Sequence, residues 1–521
     1  MAITNKEVRK IKNRTNNSII NAIIAIITNI VTILMTFIMQ TVLIKVLGSE
    51  YNGLNGLFTN IISMLSMVEL GIGPAIIFNL YKPISNNDIP KIKSLMKFYK
   101  NCYHIIGIAI LILGIIMLPF LENIVGKNSL PINIYIVFIL FIIETFSSYM
   151  ISYKRSILYA NQESYITNLV HILCIIAMNI IQILFMVITK NYYLVVIARI
   201  IFKIIENVII TIIANKKYSY IKDKNVEKLD KKVVYDIKQK VKGSIFHNIG
   251  ANVVLSTDNI IISSFLGIEV LGKYVNYNMI IKSISNLLAQ MFSSITASIG
   301  NLLIDTKENK SYSIYKKINF LNFWIYSYIA IAIYCVINPF ITFWIGEEYL
   351  LSNNVLIALI FNFFLQGMRQ TIATFRSAAG ICYEDRYIPI IESIINIVFS
   401  ITLVKLFGLV GVFIGTIIST LFVHLYSYPK YVYTKIFNKK FRDYNIELGK
   451  YTGLFCIIWL TTVIIYKTIN LENIFLQIIW AVIISFILPN VVLYICYRKK
   501  EEYKYFKELI ISKVRRKKYD T

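Results

Sequence analysis

Five basic side chains stand inside stretches that are otherwise apolar: Arg199, Lys203, Lys282, Arg369 and Arg376. Five acidic ones share that setting: Glu69, Glu144, Glu206, Asp258 and Glu392. Their spacing is helical. Arg199, Lys203 and Glu206 follow at i, i+4 and i+7, and Lys282, Asn286 and Gln290 at steps of four. Asn362, Gln366, Arg369 and Arg376 continue the pattern, so each set falls on one helical face. Thr28, Thr32, Thr36 and Gln40 add a polar stripe. Cations gathered on several helices suit an anion such as a pyrophosphate, whose oxygens take charge-assisted, often bidentate bonds from arginine. The carboxylates suit either a coupling cation or an ion pair with a facing arginine. For Arg199, Lys203 and Glu206 three readings stand: a cavity lining, an internal ion pair that holds helices together, or snorkelling to an interface. Arg369 and Arg376 have no acid on their own stretch, which favours a cavity.

Such groups need helices to carry them, and the composition supplies those helices. Of 521 residues, 57% are hydrophobic and only 16% charged. That is too little polar surface for a soluble enzyme or a disordered chain. A membrane span takes roughly 20 apolar residues. Apolar stretches fall at 18–46, 55–80, 101–122, 131–153, 165–188, 193–214, 244–265, 274–303, 319–345, 354–378, 387–407, 409–428, 449–467 and 474–496. The chain is therefore expected to be an all-α integral membrane protein with about 14 transmembrane helices. The first stretch is far longer than the apolar core of a cleavable signal peptide and no A-x-A site follows, so it reads as a retained helix.

The net charge of +26 resolves into an orientation. With the N-terminus inside, the tails and inner loops hold 43 of the 54 Lys and Arg residues, and the outer loops hold six. This asymmetry assigns both termini to the cytoplasm and removes nucleic acid as a partner. The outer loops are short, which argues against an enzyme working on the outer face. Residues 503–514 place Tyr503, Phe506, Ile510 and Val514 on one helical face with lysines around the other, an amphipathic helix expected to lie on anionic headgroups. Residues 90–100 and the basic linker 222–242 read similarly.

Cys102, Cys174, Cys335, Cys382, Cys456 and Cys496, and His104, His171, His247 and His424, are too scattered for a metal site. There is no G-x-x-x-x-G-K-[ST] loop, so no nucleotide cofactor is expected.

A short pattern repeats. Leu47-Gly48-Ser49-Glu50-Tyr51-Asn52-Gly53 recurs as Leu266-Gly267-Ile268-Glu269-Val270-Leu271-Gly272, each copy between two apolar stretches. Six stretches separate the copies, which implies a parallel duplication: an N-terminal lobe over 1–214, a basic linker over 215–243 and a C-terminal lobe over 244–428. Two further spans occupy 429–496 and a basic amphipathic tail 497–521. Parallel-repeat transporters set their substrate cavity between such lobes.

The stretches Val46–Leu54, Leu65–Ala75 and Tyr81-Lys82-Pro83 resemble polysaccharide flippases, carriers of lipid-linked oligosaccharide repeat units. These belong to the multidrug/oligosaccharidyl-lipid/polysaccharide exporter superfamily. Asp258-Asn259, Leu266-Gly267 and Gly272-Lys273-Tyr274 are similar to the family's seventh and eighth helices. The resemblance implies transfer of an undecaprenyl-pyrophosphate-linked oligosaccharide across the bacterial cytoplasmic membrane, by alternating access, for capsule or exopolysaccharide assembly. It also implies polysaccharide polymerase and glycosyltransferases as partners. On that reading Arg199, Lys203, Lys282, Asn286, Gln366, Arg369 and Arg376 line the substrate cavity, and Glu69, Glu144, Glu206, Asp258 and Glu392 bind a coupling ion or pair with arginines. Flippases of teichoic or peptidoglycan precursors, and cation-coupled drug exporters, share the architecture. The drug exporter would favour a cavity dominated by acids.

Overall fold

The computed structural model describes residues 5–69, 72–223, 226–305, 308–381, 385–469 and 471–519, and among these there is no β-strand. It divides into two compact units, Met1–Gly272 and Lys273–Thr521.

Unit 1 runs α1 (Asn5–Leu47), α2 (Ser49–Leu65), a 3₁₀ turn over Ser66–Glu69, α3 (Ile72–Ser85), α4 (Ile89–Met117), the short α5 (Leu121–Val125), α6 (Ile134–Ile151), α7 (Arg155–Ala160), α8 (Ser164–Thr189), α9 (Tyr192–Lys217) and α10 (Lys231–Leu266). Local chemistry sets several starts. The Asp88 side chain accepts from Lys91 N–H with Pro90 in the first turn of α4, and Asn133 and Asn191 cap α6 and α9 in the same way. The interior is apolar: Ile76, Leu80, Leu95, Ile106, Ile110 and Ile157 pack as one core. α10 belongs to this unit, with Ser263 Oγ donating to the Val125 carbonyl at 2.8 Å.

The two copies of the repeated pattern take the same backbone. Gly48 (φ 104°, ψ 173°) opens α2, and Gly267 (φ 92°, ψ 165°) opens α11 (Ile268–Ser294). Side chains other than glycine rarely adopt that conformation. The copies also touch: Asn52 Nδ2 donates to the Gly272 carbonyl at 3.1 Å. A Cβ on Gly53 would meet the Ile268 carbonyl, and one on Gly272 the Ser49 carbonyl.

Unit 2 continues with α12 (Thr296–Asp305), α13 (Glu308–Trp344), α14 (Asn353–Ala378), α15 (Ile388–Phe407), α16 (Leu409–Phe422), a π turn over Val423–Ser427, α17 (Tyr428–Lys435), α18 (Phe441–Thr468), α19 (Ile474–Tyr497) and α20 (Glu501–Tyr519). Stacked rings tie it together: Phe323 on Tyr451 at 4.3 Å and Phe364 on Phe455 at 4.0 Å between centroids.

Ten helical segments among the described residues are long and apolar enough to cross a membrane. Ile188, Leu173 and Leu406 stand out among many apolar side chains left on the surface, which only a hydrocarbon surrounding satisfies. All fourteen expected stretches are helical. Four are not among those ten: 55–80 is broken by the 3₁₀ turn before Gly73 and Pro74, 274–303 is divided between α11 and α12, α9 carries Arg199, Lys203 and Glu206, and much of α10 has side chains outside the described residues.

One expected interfacial segment is corrected. On residues 90–100, Ile92, Leu95, Met96 and Tyr99 are buried in the core of unit 1 instead of facing lipid, because α4 continues straight into the bundle. The tail forms a helix, with Tyr503 stacked on Trp324 of α13 at 5.8 Å and Lys317 4.2 Å from the Tyr505 ring centre. The side chains of Ile510 and Val514 lie outside the described residues, as do Gly71, Cys382 and the His247 side chain.

Candidate functional site

The break between α2 and α3 creates the principal site of unit 1. A helix carried straight through would keep Glu69 on its surface. The 3₁₀ turn and the close approach of Gly73, whose Cβ position lies 3.2 Å from Tyr99 Oη, bring Glu69 against α4 and α6. There its carboxylate accepts hydrogen bonds from Tyr103 Oη and Tyr149 Oη, one on each oxygen. Tyr99 completes an aromatic row, its ring 4.4 Å from that of Tyr103.

This row lines a cavity of about 500 Å³. Its wall carries Glu69 and Glu144, the hydroxyls of Ser66, Ser148, Ser152 and Tyr159, and the cations Arg155 and Lys203. The ions are paired across helices. Arg199 Nε donates to Glu144 Oε2 at 2.7 Å and its Nη1 to Asn55 Oδ1 at 3.1 Å, with the guanidinium 4.0 Å from the Phe141 ring centre. Glu206 collects three cationic or imidazole groups: Arg155 at 2.5 Å, His171 Nδ1 at 3.4 Å and Lys203 at 3.6 Å. Arg155 also donates to Asn207 Oδ1 at 2.9 Å. Hydroxyls, aromatic faces and cations on one wall are what a sugar phosphate needs: acceptors and donors for its hydroxyls, rings for its faces and cations for its phosphates.

In unit 2 the expected residues meet differently. Arg369 donates to both oxygens of Glu392, at 2.6 and 3.0 Å, and to Tyr428 Oη at 3.0 Å. Arg376 makes a fork to both oxygens of Asp385, and the Tyr428 ring lies 4.9 Å from its guanidinium. The expectation that these arginines are open to a cavity for want of an acid is corrected: the acids come from α15 and from the segment before it. Gln366 Nε2 donates to Thr420 Oγ1 at 2.8 Å. Lys282 is exposed and has no ion-pair or hydrogen-bond partner among the described residues, and Asn286, one turn on along α11, is exposed as well. Asp258 is buried in α10 and is not among the residues lining the cavity. On α1, the hydroxyls of Thr28 and Thr36 donate to carbonyls of their own helix.

Of the expected residues, the fold brings Glu69, Glu144 and Lys203 into the cavity wall, with Arg199 and Glu206 directly behind it. It also recruits Arg155, His171, Tyr103 and Tyr149, which sequence reasoning missed. Arg155 reads as an inner-loop charge, and its carboxylate is 51 residues away in the chain. The signal available was a pair of tyrosines, Tyr99 and Tyr103, at helical spacing beside an apolar run.

No protein-family profile matches the chain, and no characterised protein matches it by sequence. Solved structures do match its fold. The lipid II flippase MurJ, in an inward closed conformation, aligns over 92% of this chain and 99% of its own at 16% identity, with a TM-score of 0.64. An inward-facing multidrug resistance MATE family transporter of the MOP superfamily aligns over 75% and 91% at 14% identity, with a TM-score of 0.56. A point mutant of the Vibrio cholerae MATE transporter VcmN aligns over 82% and 100% at 13% identity, with a TM-score of 0.51. The chain therefore has the fold of MOP-superfamily transporters and flippases, and is a multi-pass membrane protein.

Proposed function

We propose that the chain is a flippase that carries undecaprenyl-pyrophosphate-linked oligosaccharide repeat units across the bacterial cytoplasmic membrane by alternating access. On this reading it has fourteen spans with both termini cytoplasmic, four of them the polar or broken helices of the transport path. Polysaccharide polymerase and glycosyltransferases are its partners in capsule or exopolysaccharide assembly. The observation that carries the reading is the unit 1 cavity, which sets Arg155 and Lys203 beside a row of phenol and serine hydroxyls within a transporter fold. The cations are held by carboxylates when no substrate is present. A pyrophosphate entering the cavity meets the exposed sides of Arg155 and Lys203 and shares them with Glu206, which stays behind them with His171. Glu69, held by two phenols, is the coupling-ion candidate.

The extent of the match to a lipid II flippase supports a second reading, a carrier of a related lipid-linked cell-wall precursor. The test is transport by the purified chain in liposomes with fluorescent lipid-linked oligosaccharide and, separately, lipid II. Movement of the repeat-unit lipid alone supports the first reading, movement of lipid II the second. Movement of neither, with export of organic cations, would place the chain among drug exporters.

A further inference from the structure

A second cavity, of about 510 Å³, opens in unit 1 among the N-terminal half of α4, the turn between α6 and α7, and the segment after α9. Lys93, Lys97 and Lys100 fall on one face of α4 at i, i+4 and i+7. Lys154 and Lys222 complete the ring from the other two segments. Asp223 is the carboxylate on this wall, and it takes Lys93 at 2.7 Å. Lys154 is turned to Asn215 Oδ1 at 2.8 Å, a neutral partner. Lys97, Lys100 and Lys222 have no carboxylate partner among the described residues. Ammonium groups facing one concavity repel one another, and an oxyanion placed among them relieves that repulsion. The floor is apolar, with Met96, Ile221 and Val226. The volume falls in the range of small-ligand sites, roughly 300–1,000 Å³.

We propose that this cavity is a binding site for a phosphate or pyrophosphate headgroup, separate from the transport cavity. The lysines hold the oxygens, and the apolar floor accommodates the linkage beyond them. The proposal does not depend on what the chain carries. Two sources offer this chemistry: the phosphodiester of an anionic bilayer lipid and a soluble pyrophosphate.

The full chain, reconstituted in nanodiscs of phosphatidylcholine with or without phosphatidylglycerol, tests it. Retained phosphatidylglycerol is read by native mass spectrometry, and sodium pyrophosphate binding by calorimetry in pure phosphatidylcholine. The variant K97Q/K100Q/K154Q, checked for unchanged helix content by circular dichroism, is compared with K499Q/K500Q/K504Q on the exposed basic tail. The triple cavity variant is expected to weaken binding on the order of a hundredfold, about fivefold for each lysine removed, while the tail variant keeps it. Loss of phosphatidylglycerol alone supports the proposal with the bilayer as source, and loss of pyrophosphate binding alone supports it with a soluble source. Equal loss in both variants, or unchanged binding in the cavity variant, overturns it.

Discussion

The two units contain the same kinds of ionic residue and use them in opposite ways. In unit 1 the pairs sit in the wall of a cavity: the side chains of Arg155 and Lys203 remain 21% and 34% exposed while Glu206 is 5% exposed behind them. In unit 2 the Arg376–Asp385 pair is enclosed, at 3% and 0%, while Arg369 stays 17% exposed and is held by both oxygens of Glu392 and by Tyr428. A guanidinium carries five N–H donors, so a fork to one carboxylate does not exhaust it; what closes Arg376 to a ligand is its enclosure. Arg155, which shares its carboxylate with a lysine and a histidine at the edge of a cavity, is open to one. Charged residues inside a membrane protein can thus fix helices or line a cavity, and enclosure, more than residue type, distinguishes Arg376 from Arg155.

The largest effect comes from breaking a pair in unit 2. Arg376→Ala strands Asp385 as a buried uncompensated charge and is expected to destabilise the fold by about 3–5 kcal/mol. It reads out as a marked fall in the melting temperature of the detergent-solubilised protein. Adding Asp385→Ala recovers most of the loss, since the stranded charge disappears with it. An unchanged melting temperature in Arg376→Ala would put this arginine on the ligand side of the comparison. Exchanging charges tests the neighbouring pair. Arg369→Glu and Glu392→Arg each destabilise, and the double variant is more stable than the sum of the two predicts, by about 0.5–3 kcal/mol of coupling.

The helices of this fold were legible because hydrocarbon imposes long apolar runs, and the flanking lysines mark their ends. The repeated glycine pattern was legible too, since Gly48 and Gly267 occupy the same unusual backbone conformation. The site was legible only in part. Helical spacing identified Arg199, Lys203 and Glu206 as one face, but which carboxylate each cation meets depends on helix packing over tens of residues. Arg155 meets Glu206 and Arg376 meets Asp385 across turns whose geometry no periodicity encodes. Residues 90–100 misled for a related reason: a stripe of Ile92, Leu95 and Met96 has the same spacing whether it lies on lipid or on protein.

In unit 1 the same kind of substitution moves function more than stability. Arg155→Gln keeps a polar side chain next to Asn207 and leaves Glu206 its lysine and histidine. Glycan export in a deletion strain is expected to fall by roughly tenfold or more, one charge-assisted contact's worth, with a melting temperature close to that of the parent. A large fall in melting temperature with export preserved would make unit 1 a copy of unit 2.

Lys203→Gln gives the smallest change and draws the line most finely. Its pair with Glu206 is long, at 3.6 Å, lies within one helix at i, i+3 and is one-third exposed. Such pairs contribute about 0.3–0.5 kcal/mol, so stability is expected to stay where it was. On the proposed function, the Lys203 ammonium beside the cavity meets the phosphate that enters it. Export should therefore fall several-fold, about the effect of one lysine on a phosphate. Lys203→Arg, which keeps the charge, should restore it. If Lys203→Gln exported glycan at the parental rate while Arg155→Gln did not, the phosphate contact would rest on Arg155 alone, and Lys203 would serve only to neutralise Glu206.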